Sequence, residues 1–272
     1  METLLSLLQA TIGTSQARQL VLFLFFLPLF AFAYWAVKRG LTISLRTIPG
    51  YAALTQLLTQ SAETGRPVHV SLGVTGIADA FTADTMAGLT TLEYIAERGV
   101  ISEVAPIVTV ANPTALPAAQ DALRRVCVRH GYAEEYDPAR ARMIAPSSGL
   151  TTTVLSDGSG IAYAAGAMQT LSQYQLSANV MVGRFGDEFL LLGETGAQRG
   201  LAQVGGTSAE RVMPFVQSTM DNPLLGEEIY ASGAYLLKKP AHLSSLLAQD
   251  IARWLLILAI LGAVLMKTLG LI

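Results

Sequence analysis

The stretch PVHVSLGVTGIADAFTAD, residues 67–84, decides the fold of this protein. It begins as an extended run of alternating β-branched valines, which is typical of a buried strand. Gly73 and Gly76 then permit a tight turn, and Thr82 or Asp84 is suited to cap the first N–H groups of a following helix. The pattern predicts a strand, a glycine-containing loop and a helix, which together form the repeating unit of an α/β protein.

Similar units recur along the chain. The predicted strands are residues 68–72, 106–111, 142–146, 179–183 and 201–207, and the predicted helices are residues 85–98, 116–130, 187–200 and 208–219. Strands that alternate with helices pair in parallel. We therefore expect an α/β fold with a Rossmann-like, doubly wound, mainly parallel sheet of about five strands, inserted between two transmembrane helices.

Three further segments lie outside these units, and the first of them is ambiguous. Residues 157–176 are rich in glycine, which lowers helix propensity, but their small side chains would let a helix pack closely on a neighbour. Residues 226–237, GEEIYASGAYLL, are predicted to form a helix. A helix with Leu54, Leu57 and Leu58 on one face is expected between residues 42 and 65, where it connects the membrane to the sheet.

The composition indicates membrane segments, because 51% of residues are hydrophobic and 14% are charged, against about a quarter charged in soluble domains. Residues 19–37, QLVLFLFFLPLFAFAYWAV, are uncharged and long enough to cross a bilayer. A secretory signal peptide is the alternative. The run is long for one and has no convincing small-x-small cleavage site, so we favour a transmembrane anchor.

A second apolar run lies at the other end of the chain, in residues 253–272, RWLLILAILGAVLMKTLGLI. Its only charge after Arg253 is Lys267, whose long side chain can reach the headgroups. The alternative is a helix buried in a soluble core. Because the run has no polar face, such a helix would have to be covered on all sides, and a second span is favoured.

These assignments divide the chain into five parts. They are a short N-terminal segment (1–18), a transmembrane helix (19–37), a connecting helical segment (38–66), an α/β domain (67–240), and a juxtamembrane segment with the C-terminal transmembrane helix (241–272). The inner flanks carry Lys38, Arg39, Arg46, Lys238, Lys239 and Arg253, and the outer flanks carry Arg18 and Lys267. This asymmetry predicts a protein of the cell (inner or plasma) membrane with a cytoplasmic central domain and both termini outside.

Three segments resemble a known family. They are SLGVTGIADAFTADTMAGLTTLEYIAERG, GRFGDEFLLLGETG and NPLLGEEIYASGAYLL. They are similar to an uncharacterised family of bacterial and archaeal membrane proteins that carry a domain of unknown function between two membrane spans. The resemblance covers most of residues 40 to 240. It implies that the two spans and these motifs belong together, and it brings no reaction with it.

A ligand site in a doubly wound sheet is expected beyond the carboxyl ends of the strands. The candidate ligand-binding residues are Gly73, Thr75, Gly76, Asn112, Ser147, Gly183, Gly186, Gly206 and Thr207. Backbone N–H groups in glycine-rich loops favour anions such as phosphate or carboxylate. The same glycines also serve turns in sheets that bind nothing, and the longer GxGxxG and GxxxxGK[ST] fingerprints are absent from the sequence.

No catalytic motif is recognisable. The three histidines His69, His130 and His242 have no metal-ligand spacing, so we predict no metal and no cofactor. Asp187 and Glu188 are adjacent carboxylates at a predicted helix start, where capping is favoured over an acid–base role. The sole cysteine, Cys127, falls on the apolar side of a predicted helix and suits a buried thiol.

Two functional hypotheses follow. In the favoured one, the chain is a non-catalytic, membrane-anchored scaffold or assembly subunit of a membrane complex. Its expected partners are then the lipid bilayer and either further copies of itself or other membrane-complex subunits. The alternative is a membrane-localised enzyme or sensor that binds a small anionic metabolite or nucleotide at the strand ends. Nucleic acid is not an expected partner, because no cluster of basic residues interleaved with aromatics is present.

Overall fold

The computed structural model describes residues 14–145 and 159–269, and the chain divides into two compact units. The first, here called the α/β domain, is Arg46–Leu237. The second, here called the helix pair, combines the two ends of the chain, and its described residues are 14–45 and 238–269.

The α/β domain contains one sheet of six parallel strands in the order β3-β2-β1-β4-β5-β6. The strands are β1 (Val68–Gly73), β2 (Ile107–Val110), β3 (Ala141–Met143), β4 (Ala178–Arg184), β5 (Ala202–Thr207) and β6 (Asn222–Leu225). This order is that of the doubly wound dinucleotide-binding sheet. The predicted fold class is therefore confirmed.

Helices cover both faces of the sheet. The α-helices of the described chain are α1 (Thr14–Lys38), α2 (Pro49–Thr64), α3 (Thr82–Ile101), α4 (Ala115–Arg129), α5 (Ser159–Gln173), α6 (Glu188–Gln198), α7 (Met213–Thr219), α8 (Ser232–Tyr235) and α9 (Pro240–Thr268). Helices α2, α3 and α4 share one core with the sheet, and α5, α6 and α7 contribute to the other.

The first core depends on valines from neighbouring strands. Val70, Val108 and Val180 of β1, β2 and β4 are fully buried, and Leu92 of α3 packs into the same cluster. Strands covered on both faces read as continuous apolar runs, which is why these segments were recognisable in the sequence. Cys127 of α4 is a buried free thiol in this core, as predicted.

The structure adds one strand that the sequence did not predict. β6 contains Pro223 and pairs with β5 on one side only, at the edge of the sheet. Proline lacks an N–H donor and is tolerated in edge strands, but it removes the usual strand signal. The following residues also differ from the prediction, since a 3₁₀-helix Gly226–Ala231 and the short helix α8 replace one continuous helix.

Several predicted helix boundaries are corrected. The helix expected within residues 42–65 begins at Pro49 and packs on the sheet through Tyr51 and Leu54. The ambiguous segment 157–176 forms helix α5 over Ser159–Gln173. Met86 in the first turns of α3 is 49% exposed.

The predicted helix caps are also wrong. The N-cap residue of α3 is Phe81, and it makes no side-chain capping hydrogen bond. The hydroxyl of Thr82 donates to the carbonyl of Asp79 instead, and the Ser208 hydroxyl donates to the carboxylate of Asp84.

The helix pair consists of α1 and α9, which pack against each other. Segments Arg18–Lys38 and Pro240–Thr268 are 21 and 29 residues long, and both are apolar enough to cross a membrane. Only 6% and 0% of their most apolar stretches are buried. The segment predicted as juxtamembrane is continuous with the second apolar run in one helix.

Candidate functional site

The candidate site lies at the carboxyl ends of β1 and β4, where the strand order reverses. From β1 the chain builds outward through β2 to β3, and from β4 it builds in the opposite direction to β6. The loops after β1 and β4 therefore diverge, and a crevice at this point holds the ligand in doubly wound sheets.

Gly73 and Gly183 serve the contact between these two strands. A Cβ atom on Gly73 would lie 2.1 Å from the carbonyl oxygen of Arg184, and one on Gly183 would lie 2.2 Å from that of Leu72. Gly73 also has φ of 80°, which favours glycine. The two glycines are thus required by the approach of β1 to β4.

Gly76 has a different role from the one expected. It is absent from the residues with positive φ, and the position of its missing Cβ is occupied by the side chains of Asn112 and Thr114, whose oxygens lie 2.2 Å away. Asn112 Oδ1 accepts from the backbone N–H and the hydroxyl of Thr114, at 2.9 and 2.7 Å. Gly76 and Asn112 therefore join the loops after β1 and β2.

The carboxylate of Asp79 is the anion bound in the glycine loop. Its Oδ2 accepts from the N–H of Gly76 and its Oδ1 from the N–H of Phe81, both at 2.8 Å. A third loop N–H, that of Ile77, donates to the hydroxyl of Thr114 at 2.8 Å. Three backbone donors of this loop, which could otherwise bind a phosphate, are thus bound to groups of the protein itself.

A second carboxylate, that of Asp84, lies in the first turn of α3 and is 1% exposed. It accepts from the Ser208 hydroxyl at 2.9 Å and from the Tyr230 hydroxyl at 2.5 Å. Arg184 Nη1 lies 3.7 Å from the same carboxylate and donates to Ser208 at 2.9 Å. The positive end of the helix dipole therefore also faces an internal anion.

Arg184 and Tyr230 are the partly exposed members of this network. The Arg184 guanidinium stacks over the ring of Phe81 at 4.0 Å, and its side chain is 25% exposed. Burial raises the pKa of Tyr230, and so does its hydrogen bond to Asp84. The network joins the loop after β1, the first turn of α3, the ends of β4 and β5, and the segment after β6.

Three of the remaining predicted residues, Gly206, Thr75 and Thr207, contact other groups of the α/β domain. Gly206 lies inside β5, where a Cβ would be 1.9 Å from the Leu224 carbonyl oxygen of the neighbouring strand. The buried hydroxyls of Thr75 and Thr207 bond to Thr85 and to backbone N–H groups, respectively. Ser147 lies outside the described residues.

The adjacent carboxylates Asp187 and Glu188 diverge. At the surface, Arg211 Nη2 donates to both carboxylate oxygens of Asp187, each at 2.9 Å. Glu188 is buried, and its Oε1 accepts from the N–H of Gly186 at 2.6 Å. Burial raises the pKa of Glu188, whereas its hydrogen bonds to backbone N–H groups oppose that rise.

A row of buried polar side chains crosses the sheet on the face that α5 covers, and the sequence reasoning missed it. Its members are Thr109 of β2, His69 and Ser71 of β1, Asn179 of β4, Gln203 of β5 and Tyr163 of α5. The paired registers place His69 beside Asn179, and Asn179 beside Gln203. The sequence signal that could have revealed the row is the presence of one polar residue at the same register position in each of several apolar strands.

The hydrogen bonds of this row have a fixed direction. Gln203 Nε2 donates to two backbone carbonyls, so its Oε1 accepts from Asn179 Nδ2 at 2.8 Å. Asn179 Oδ1 is then left to accept from His69 Nδ1 at 2.8 Å, and His69 Nε2 lies 3.0 Å from the Thr109 hydroxyl. His69 Nδ1 therefore carries a proton, and in the neutral imidazole Nε2 accepts from Thr109.

Burial lowers the pKa of His69 to about 4, although its hydrogen bond to Asn179 acts in the opposite direction. The other two histidines lie elsewhere. His130 follows α4, with Nε2 3.5 Å from Glu97 Oε1, and His242 lies in the first turn of α9. Across residues 14–145 and 159–269, no group of three His, Cys, Asp or Glu side chains is placed to hold a metal ion.

Comparison with known proteins places the chain in a family. Residues 9–272 match the family described as Domain of unknown function (DUF6754). The chain belongs to this family. The match extends past residues 40–240 and includes both apolar helices, so the family's domain comprises the helix pair as well as the sheet. No curated protein and no solved structure matches the chain.

Replacing Asp79 tests the internal anion. Asp79→Ala should lower the free energy of unfolding by about 2 kcal/mol, because two backbone N–H groups lose a charged acceptor. Hydrogen exchange measured by mass spectrometry should accelerate in peptides containing Gly76 and Phe81. Asp121→Ala is the control, since its pairing with Arg125 is exposed and contributes little. Unchanged exchange in the loop would contradict this role of Asp79.

The buried imidazole predicts a pH dependence of stability. The unfolded His69 binds a proton below about pH 6.5, whereas the folded one remains neutral down to about pH 4. Its contribution is therefore fully present above pH 6.5 and is lost as the pH falls to about 4. The loss amounts to about 3 kcal/mol.

In His69→Gln, the stability difference between pH 6.5 and 4 should shrink by most of that amount when unfolding is followed in detergent. His130→Gln, which changes a half-buried histidine outside the row, is the control. Equal pH profiles for wild type and His69→Gln would show that His69 is not neutral in the folded protein.

Proposed function

We propose that this protein is a membrane-anchored, non-catalytic α/β domain that acts as a scaffold or assembly subunit of a membrane complex. The observation that carries the proposal is the carboxylate of Asp79 on the N–H groups of Gly76 and Phe81. In a ligand-binding sheet of this topology those groups would be available for phosphate. Here the chain supplies the anion, which favours a structural role for the domain.

Membrane anchoring is supported by the surfaces of α1 and α9. Phe23, Leu256 and Leu261 are each about 60% exposed, and such side chains continue along both helices. Exposure of this extent does not suit the core helix of a soluble protein. A helix satisfies its own backbone hydrogen bonds and is therefore suited to cross the hydrocarbon core.

The proposed orientation places the α/β domain in the cytoplasm and both termini outside. It is supported by the six basic residues on the inner flanks of the apolar runs against two on the outer flanks. An impermeant thiol reagent applied to intact cells should label Ser15→Cys and leave Glu134→Cys unlabelled. The opposite pattern would invert the orientation.

Assembly is supported by an exposed apolar surface on α5 and α6, here called the α5–α6 surface. Ile161 is 68% exposed, and Leu190 and Leu191 are 37% and 42% exposed. The two helices pack against each other on the same face of the sheet. Exposed apolar side chains on two neighbouring helices are typical of protein contacts, and we propose that a second copy or another subunit covers the α5–α6 surface.

The mass of the protein in mild detergent tests the proposal. We expect light scattering or native mass spectrometry to give a multiple of 28.9 kDa, or a complex with co-purifying membrane proteins. Leu190→Glu combined with Leu191→Glu should reduce that mass, because two charges would be buried in the contact. Met86→Glu combined with Val128→Glu, on exposed positions of α3 and α4, should leave the mass unchanged.

A strict monomer with no co-purifying partner would contradict the scaffold proposal. The alternative function, binding of a small anionic metabolite or nucleotide, would then be favoured over the scaffold. A thermal-shift screen distinguishes the two, because a ligand that binds the native state raises its apparent stability.

A further inference from the structure

Four exposed basic residues lie close to the two positions along the sequence at which the chain passes between the helix pair and the α/β domain. Lys38 ends α1, Arg39 follows it, and Lys238 and Lys239 come directly before α9. We call these four residues the basic collar. No Asp or Glu occurs in residues 38–62 or 229–249.

We place all four collar residues at one face of the membrane, which rests on the proposed function. If α1 and α9 both span the bilayer, the single domain between them is on one side, and both junctions are on that side too. Arg46 is close in sequence but lies in the α/β domain, where its guanidinium is 2.5 Å from the Glu228 carboxylate, and it is not counted in the collar. The other ends of the two spans carry Arg18 and Lys267 singly.

The geometry of Arg39 fits a position at the headgroups. Its guanidinium lies 3.8 Å from the ring centroid of Trp35, so the cation stands over an aromatic ring near the end of α1. Tryptophan prefers the membrane interface. Long basic side chains there keep their charged ends among the headgroups while their methylene groups lie along apolar surface.

We propose that the basic collar binds the phosphate groups of anionic phospholipids on the domain's side of the membrane. Arg39 offers several N–H donors in a fixed fork, and Lys38, Lys238 and Lys239 act as point charges. Cations next to a membrane-spanning helix are attracted to anionic lipids, with an effect of about fivefold in affinity for each charge. The chemical class of the ligand is an anionic phosphodiester with two acyl chains.

Native mass spectrometry of the full-length protein tests this proposal. The protein is released from mixed micelles that contain equal amounts of phosphatidylglycerol and phosphatidylcholine of matched chains. We expect the wild type to retain phosphatidylglycerol in excess. In the variant with Lys38, Arg39, Lys238 and Lys239 each replaced by glutamine, the ratio of the two retained lipids should fall at least tenfold.

The matched control replaces four exposed arginines of the α/β domain, Arg66, Arg124, Arg125 and Arg199, with glutamine. It loses the same net charge and should retain the wild-type lipid ratio. Inorganic phosphate in excess should not displace the lipid, whereas displacement would identify a site for free phosphate and overturn the proposal. Equal ratios for wild type and collar variant, or the same loss in the control, would also overturn it.

These outcomes are separable from failure of the scaffold proposal. The same spectra report the number of chains in each complex, so a monomer that selects phosphatidylglycerol supports the collar and contradicts the scaffold. Alkaline carbonate extraction of membranes is performed first. A chain released by carbonate does not span the bilayer. That result would contradict both proposals, because both require α1 and α9 to cross the membrane.

Discussion

The pairing of β1 with β4 is the contact on which the rest of the α/β domain depends. The two halves of the sheet meet there, and the backbones come so close that a side chain at Gly73 or Gly183 would overlap a carbonyl group of the other strand. The register shifts at the same place, between Ser71 and Gly73. This junction directs the loops after β1 and β4 apart and so creates the edge at which such sheets bind ligands.

At that edge the protein provides its own anions. Asp79 accepts from two N–H groups of the glycine loop, and Asp84 lies in the first turn of α3 with Ser208 and Tyr230 as donors. An external phosphate would have to displace a carboxylate that is held in place by the chain and therefore competes at a high effective concentration. Arg184 further neutralises Asp84. These constraints favour a domain whose edge is closed by its own side chains.

The buried polar row has a related consequence on the face that α5 covers. His69, Asn179 and Gln203 satisfy one another across three neighbouring strands, so a shift of register would leave each of them buried without a partner. Tyr163 connects α5 to the same row through Ser71 and Thr109, and burial raises its pKa to about 12. The row therefore fixes both the strand register and the position of α5.

The sequence predicted the parts of the fold that depend on apolar periodicity. The valine-rich segments of β1, β2 and β4 were recognisable because burial selects their composition directly, and α1 and α9 were recognisable as long apolar runs. β6 was missed because Pro223 removes the usual sequence signal of a strand. Residues 226–237 were predicted as one α-helix because the residue types found in a 3₁₀-helix are also those found in an α-helix.

The candidate site was only partly predictable. Gly73, Gly76 and Gly183 do lie at the strand ends, but their contacts with backbone atoms and with the side chains of Asn112 and Thr114 leave no local pattern in the sequence. Asp79 was overlooked because its importance comes from two N–H groups placed by the fold of the loop. Pairings across the chain, such as Asp84 with Tyr230, leave no spacing signal at all.

Internal carboxylates close the edge between β1 and β4. Hydrogen exchange of the full-length wild-type protein tests this closure most directly, with residues 74–82 followed in the presence and absence of millimolar ATP, a dinucleotide or inorganic phosphate. We expect unchanged protection of this loop and an unchanged melting temperature with each compound. Slower exchange at Gly76 and Phe81, together with a higher melting temperature, would contradict it.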